Sequence, residues 1–168
     1  LCRTEVQHYI IANVNTTLAS APIDYVKWDM NRHISDNYSP ALAEQGRFSH
    51  SYILGLYRVL QSIVEQNPDV LFEGCSSGGN RFDLGILCYM PQIWTSDDTD
   101  AIERVKIQSG TSLFYPASAM GAHVSAVPNH QTGRVTSFET RGNVALAGTL
   151  GYEMDLGTLN DPPLPRIQ

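Results

Sequence analysis

The sequence predicts an α/β fold, a parallel sheet with helices outside it, and three observations predict it. Helix-period apolar stripes alternate with short β-branched and aromatic runs along the chain. The segments joining successive strands are long enough for βα crossovers rather than hairpins. Two of the strands, Tyr25 to Trp28 and Gln92 to Thr95, end abruptly in clusters of carboxylate, amide and hydroxyl side chains. In α/β sheets that end of a strand is where ligands sit.

Taken in order, Val6, Tyr9, Ile10, Val14 and Leu18 recur at three- and four-residue intervals, which predicts an amphipathic helix over Glu5 to Leu18 with Pro22 soon after its end. Tyr25-Val26-Lys27-Trp28 reads as a buried strand that delivers Asp29 to a pocket. His33 to Gly46 is polar, contains Ser39-Pro40 and reads as a long loop on the ligand side. A second helix opens at Ser49 or His50, carries Ile53, Tyr57, Leu60 and Val64 at helical spacing, and stops at Asn67-Pro68. Val70 to Glu73 is a short buried strand that runs into Gly74-Cys75-Ser76-Ser77-Gly78-Gly79-Asn80, whose small residues allow a ligand close to the backbone.

After an irregular stretch from Arg81 to Met90, Gln92 to Thr95 forms another strand, and Ala101 to Gln108 a helix capped by Asp100. Gly121 to Val127, Thr136 to Leu146 and Thr149 to Tyr152 complete the series as strand, helix and strand. A folded domain over residues 1–157 and a frayed tail over 158–168, with three prolines, are expected.

Composition narrows the function. A chain of 168 residues with 42% hydrophobic content builds one ordinary core. Its 17 acidic and 11 basic residues give a charge of -6 without a Lys/Arg cluster, so neither nucleic acid nor anionic membrane is an expected partner. No apolar run approaches the roughly 20 residues of a membrane span. The N-terminus lacks the pattern of an export leader. Cys2, Cys75 and Cys88 are an odd number without disulfide or metal spacing, which favours a reducing compartment. A first residue Leu1 in place of Met is what a piece of a longer protein shows.

Lys27, Asp29, Asn31 and Arg32 lie within six residues, and alternation puts Lys27, Asp29 and Asn31 on one face. Two cations beside one carboxylate are the electrostatic company of a nucleophile, against the plainer reading of Asp29 as a turn or cap residue. Asp97 stands at the end of another strand of the same expected sheet, so the two carboxylates can converge. Such a pair serves a retaining glycosidase at about 5 to 5.5 Å and an inverting one at roughly 6.5 to 9.5 Å, and both stay open at this point. Asp97, Asp98 and Asp100 could alternatively hold magnesium, although Lys27 and Arg32 would oppose a cation and Asp98 and Asp100 suit pairing or capping better. Cys75 lacks a recognisable His or Asn partner for a nucleophile, and Ser76-Ser77 lacks the Gly-x-Ser-x-Gly elbow. His33, His123 and His130 read as loop or packing residues.

Lys27-Trp28-Asp29-Met30-Asn31-Arg32, Cys75-Ser76-Ser77-Gly78-Gly79 and Trp94-Thr95-Ser96-Asp97-Asp98-Thr99-Asp100-Ala101-Ile102-Glu103-Arg104 resemble, in this order, the α-galactosidases of glycoside hydrolase family 36. The resemblance implies a (β/α)8 TIM barrel, of which this chain matches only about strands 4 to 8. It implies retaining hydrolysis of terminal α-galactosides of the melibiose and raffinose type, with Asp29 as nucleophile and Asp97 as acid/base. Lys27, Trp28, Met30, Asn31, Cys75 and Gly78 then fall at or beside substrate-binding positions. No metal or organic cofactor is implied, and the parent enzyme is expected to be a cytoplasmic homo-oligomer. The earlier barrel strands of the family are missing from the match, so a catalytically incomplete module that binds galactosides or serves structurally is the alternative for the chain alone.

Overall fold

The computed structural model describes residues 1–158. The expected frayed tail, from residue 159 on, lies outside them. The chain divides into two compact units, Leu1–Pro91 and the segment from Gln92 onward.

The first unit holds α1 (Thr4–Ala19), β1 (Tyr25–Asp29), α2 (Phe48–Gln66) and β2 (Leu71–Cys75). A 3-10 turn at Gln45–Arg47 leads from the long loop into α2. The buried ridge of α2 is Leu56, Val59, Leu60 and Ile63, each at most 2% exposed. The stripe expected from sequence, Ile53, Tyr57, Leu60 and Val64, shares only Leu60 with it and runs along its half-buried margin. Both rows have helical spacing on one wide apolar face, and packing against α1 selects the inner one. On α1 the expected Tyr9 is 68% exposed. Gln7 is buried in the helix's first turns instead, with its amide donating to Leu1 O at 2.6 Å.

β1 and β2 are parallel, in the register Tyr25↔Leu71, Lys27↔Glu73 and Asp29↔Cys75. The ladder is closed at both ends by Leu71 N–H to Asp24 O and Met30 N–H to Cys75 O, each 2.9 Å. β1 is not the buried strand expected. Tyr25, Lys27 and Asp29 are exposed, while Val26 and Trp28 are half-buried on the opposite face. Alternation sorts the strand by polarity, so the face that carries Tyr, Lys and Asp is open along β1, although Glu73 and Cys75 beside it on β2 are buried. β2 is buried from Phe72 to Cys75 and runs two residues past its expected end, because pairing with Trp28 and Asp29 outweighs the low strand propensity of Gly74.

The second unit holds β3 (Gln92–Trp94), α3 (Ala101–Ser112), β4 (Met120–Ser125), α4 (Phe138–Ala145) and β5 (Thr149–Glu153). β3 with β4 and β4 with β5 pair in parallel, the latter from Gly121↔Thr149 to Ser125↔Glu153. Ala122, Val124 and Ala145 form a core against which Phe138, Tyr152 and Met154 pack. α3 extends four residues beyond the expected Gln108. α4 starts later than expected because Ser137 Oγ accepts the Thr140 N–H at 3.0 Å and fixes the cap there.

Candidate active site

In the first unit the exposed face of β1 presents Tyr25, Lys27 and Asp29, and register sets Glu73 and Cys75 of β2 beside them. Asn31 Nδ2 donates to Asp29 Oδ2 at 2.8 Å, and Asn31 Oδ1 accepts the Ser77 N–H at 2.6 Å. One amide therefore ties the carboxylate to the loop after β2. That loop turns through two left-handed residues, Ser77 (φ +52°) and Gly78 (φ +79°), with Ser76 N–H donating to Gly78 O at 2.9 Å. The Arg81 guanidinium donates to Ser76 Oγ at 2.8 Å, to Arg32 O at 3.3 Å and to Met30 O, and so binds the two strand ends together.

Burial pushes the Cys75 thiol up to about 11, reinforced by its donation to the Asp29 carboxylate and moderated by the Gly78 backbone and by Lys27. A thiol so placed is protonated at neutral pH and is a hydrogen-bond donor rather than a nucleophile. Lys27 Nζ lies 3.7 Å from Glu73 Oε1. Trp28 alternates away, and Asn13, Val14, Thr17, Leu18 and Ile23 line a groove of about 380 Å³ with residues 26–29.

In the second unit the acidic run after β3 separates into distinct roles. Asp98 Oδ1 accepts the Asp100 N–H at 3.0 Å, and the Asp98 N–H donates to Ser96 Oγ at 3.1 Å, a tight local turn. Asp100 is buried and caps α3, accepting from Ile102 N–H at 2.9 Å and Glu103 N–H at 3.1 Å. It also accepts from Thr132 Oγ1 at 2.8 Å and pairs with Arg134. Asp97 is the exposed carboxylate of the run. As expected from sequence, Asp98 is engaged in a local hydrogen bond and Asp100 caps the helix. Among the described residues no group of three or more His, Cys, Asp or Glu is arranged to hold a metal ion.

The backbone that carries Asp97 is anchored from below. Arg104 is 2% exposed, donates to Ser96 O at 3.0 Å and Gly121 O at 2.6 Å, and lies over the Trp94 ring, 4.4 Å from its centroid. Trp94 in turn stacks on His123 with centroids 4.6 Å apart, so His123 is a packing residue, as read from sequence. Glu73, Arg81, Arg104 and Arg134 were not singled out by sequence reasoning. For Glu73 the signal was present, an acidic residue inside an apolar strand run.

A family model described as Melibiase matches residues 1–168. The chain belongs to the Melibiase family. Among curated relatives of this Melibiase chain, α-galactosidase AgaA of Geobacillus stearothermophilus is 60% identical over 161 residues, covering 95% of this chain and 22% of AgaA. Mel36A of Lactobacillus acidophilus is 55% identical over 163 residues, with 96% and 22% covered. The crystal structure of AgaA superposes with TM-score 0.91 at 59% identity, over 95% of this chain and 23% of the other. A variant of AgaA in complex with raffinose gives TM-score 0.91 at 58% identity, over the same shares. The Lactobacillus brevis α-galactosidase gives 0.93 at 49%, over 99% and 23%. The chain spans about a fifth of the length of the curated relatives it matches. These superpositions bear out the fold expected, a part of a (β/α)8 barrel.

Among the described residues no helix is long and apolar enough to cross a membrane.

Proposed function

We propose that the protein of which this chain is part is a retaining α-galactosidase that releases terminal galactose from raffinose-type oligosaccharides. The observation that carries the reading is the environment of Asp29 in a Melibiase chain. An exposed carboxylate at the C-terminal end of a parallel strand is oriented by Asn31 and flanked by a lysine and a neutral thiol. The names of the relatives, α-galactosidases throughout those cited, support the same class.

In this mechanism Asp29 attacks the anomeric carbon of the galactosyl group while Asp97 gives a proton to the departing glycosidic oxygen. The C–O bond to the leaving sugar breaks as the bond to Asp29 forms. Asp97, now a carboxylate, takes a proton from water, whose oxygen attacks the same carbon from the face the leaving group vacated and frees Asp29. Two inversions give net retention. We assign Lys27, Asn31, Cys75 and the backbone at Gly78 to donation toward galactose hydroxyls and Met30 to the wall of the subsite, while Trp28, on the opposite face of β1, acts by packing the strand end that carries Asp29. We assign the parent to the cytoplasm, a reading supported by the free thiols Cys2, Cys75 and Cys88, and expect a homo-oligomer from the family resemblance.

The full-length protein is tested on p-nitrophenyl α-galactoside and raffinose by proton NMR, with and without chelator. α-Galactose should form first, at a rate the chelator does not change. Release of β-galactose first would make the enzyme inverting, and no release of galactose would refute the reading.

A further inference from the structure

Glu73 stands at the middle of β2 with its side chain 0% exposed. A carboxylate removed from water is costly unless cationic and donor groups compensate it, so a position where leucine would pack needs a reason. Two compensating groups come from the exposed face of β1. Tyr25 O–H donates to one carboxylate oxygen, and Lys27 Nζ lies 3.7 Å from the other. The register explains why, because Lys27 and Glu73 are direct neighbours in the parallel ladder and Tyr25 precedes Lys27 by one turn of the pleat. The Lys27 side chain is 35% exposed, so its ammonium bridges the buried carboxylate and the open face that holds Asp29.

We infer that Glu73 is a positioning residue of the galactoside site, anchoring the Lys27 ammonium so that it is already set to receive substrate beside Asp29. The inference rests on the α-galactosidase reading and extends it to a residue that need not touch sugar. A lysine is a point charge on a flexible four-carbon stem, and fixing it before binding removes an ordering cost from the transition-state complex. Tyr25 sets the orientation of the carboxylate; burial and Glu73 raise its phenol above the ordinary range, which keeps the O–H as donor. Partners that orient a metal's ligands are commonly worth on the order of 10- to 100-fold in activity, and the same scale is expected for a carboxylate that orients Lys27.

The test is a double-mutant cycle in the full-length enzyme, with kcat and KM for p-nitrophenyl α-galactoside, in the backgrounds Lys27 and Lys27→Met. Glu73→Gln, which keeps the shape and removes the charge, should lower kcat/KM on the order of 10- to 100-fold with Lys27 present. In the Lys27→Met background it should change kcat/KM less than about twofold, since the anchored group is gone. Tyr25→Phe removes one oxygen from a partly exposed ring and should show a smaller loss with the same dependence on Lys27. It reads the coupling if Glu73→Gln enzyme is not recovered. Equal losses in both backgrounds, or no loss with Lys27 present, would overturn the inference and leave the α-galactosidase reading standing. An unsubstituted enzyme that releases no galactose would overturn both.

Discussion

Asn31 and Asp29 form a two-residue clamp, with Nδ2 donating to Oδ2 at 2.8 Å while the same amide's oxygen receives the Ser77 N–H at 2.6 Å. If Asp29 is the nucleophile, the clamp aims it. Asn31→Leu should lower kcat on the order of 10- to 100-fold through a misdirected carboxylate. Asp29→Gly should lower it by roughly a thousandfold or more. Only the latter is rescued by azide, and the product should be β-galactosyl azide, inverted relative to the substrate. Near-normal turnover by Asp29→Gly without azide would refute the assignment.

Asp97 should be the proton donor and Asp98 should not, since Asp98 is committed to the Asp100 N–H. An activated aryl leaving group needs little protonation, whereas a sugar leaving group needs much. Asp97→Ala should therefore slow raffinose cleavage far more than aryl-galactoside glycosylation, with azide yielding galactosyl azide of retained configuration. The same pattern in Asp98→Ala but not in Asp97→Ala would transfer the role.

The stability of the Asp97 loop should depend on acid through Asp100. Burial opposes its charge, but Thr132, the Glu103 and Ile102 N–H groups and Arg134 outweigh burial and hold the carboxyl below its ordinary value. A depressed carboxyl contributes stability that is complete above about pH 4 and is lost as pH falls through the lower folded value. Asp100→Ala should remove about 2 to 4 kcal/mol and flatten that acid limb, which thermal unfolding against pH measures. Asp100→Asn should keep most of the cap and lose the pH dependence.

Cys75 should be inert to alkylation where ordinary thiols react. Its value rises from 9.0 to about 11, chiefly through burial, so the native state keeps the proton that the unfolded chain gives up. The resulting stability is complete below pH 9.0 and lost as pH rises toward 11. Iodoacetamide labelling of the full-length enzyme followed by peptide mass analysis should find Cys75 unmodified at pH 8. Rapid labelling there would mean an activated thiolate.

The alternation of elements and the chemistry at two strand ends were legible because each depends on local order. Period, β-branching and a cap at Asp100 act within a few residues. What the sequence hid depends on neighbours far along the chain. Lys27 read as company for Asp29, but its ion-pair partner Glu73 is set by strand register. Trp28 and Asp29 are adjacent in sequence yet belong to opposite faces. The α2 stripe was displaced because two apolar rows on one helix look alike until α1 selects between them. Nothing local marks Arg104, whose seat beneath Ser96 and Gly121 requires the β3–β4 pair.

The ladder between β1 and β2 also makes this region sensitive to chain length in a way that amino-acid type does not describe. Leu71 N–H on Asp24 O and Met30 N–H on Cys75 O bracket a five-residue pairing. A shift by a single position would rotate Lys27 and Asp29 toward the helices and bring Val26 and Trp28 outward. Removing one residue from the short link between Ala19 and Tyr25 therefore threatens the whole polar face at once. The loop over residues 33–44 lies outside this ladder and can vary in length without changing which face any strand residue occupies. Insertions and deletions, more than substitutions, are the changes this strand pair is built to refuse.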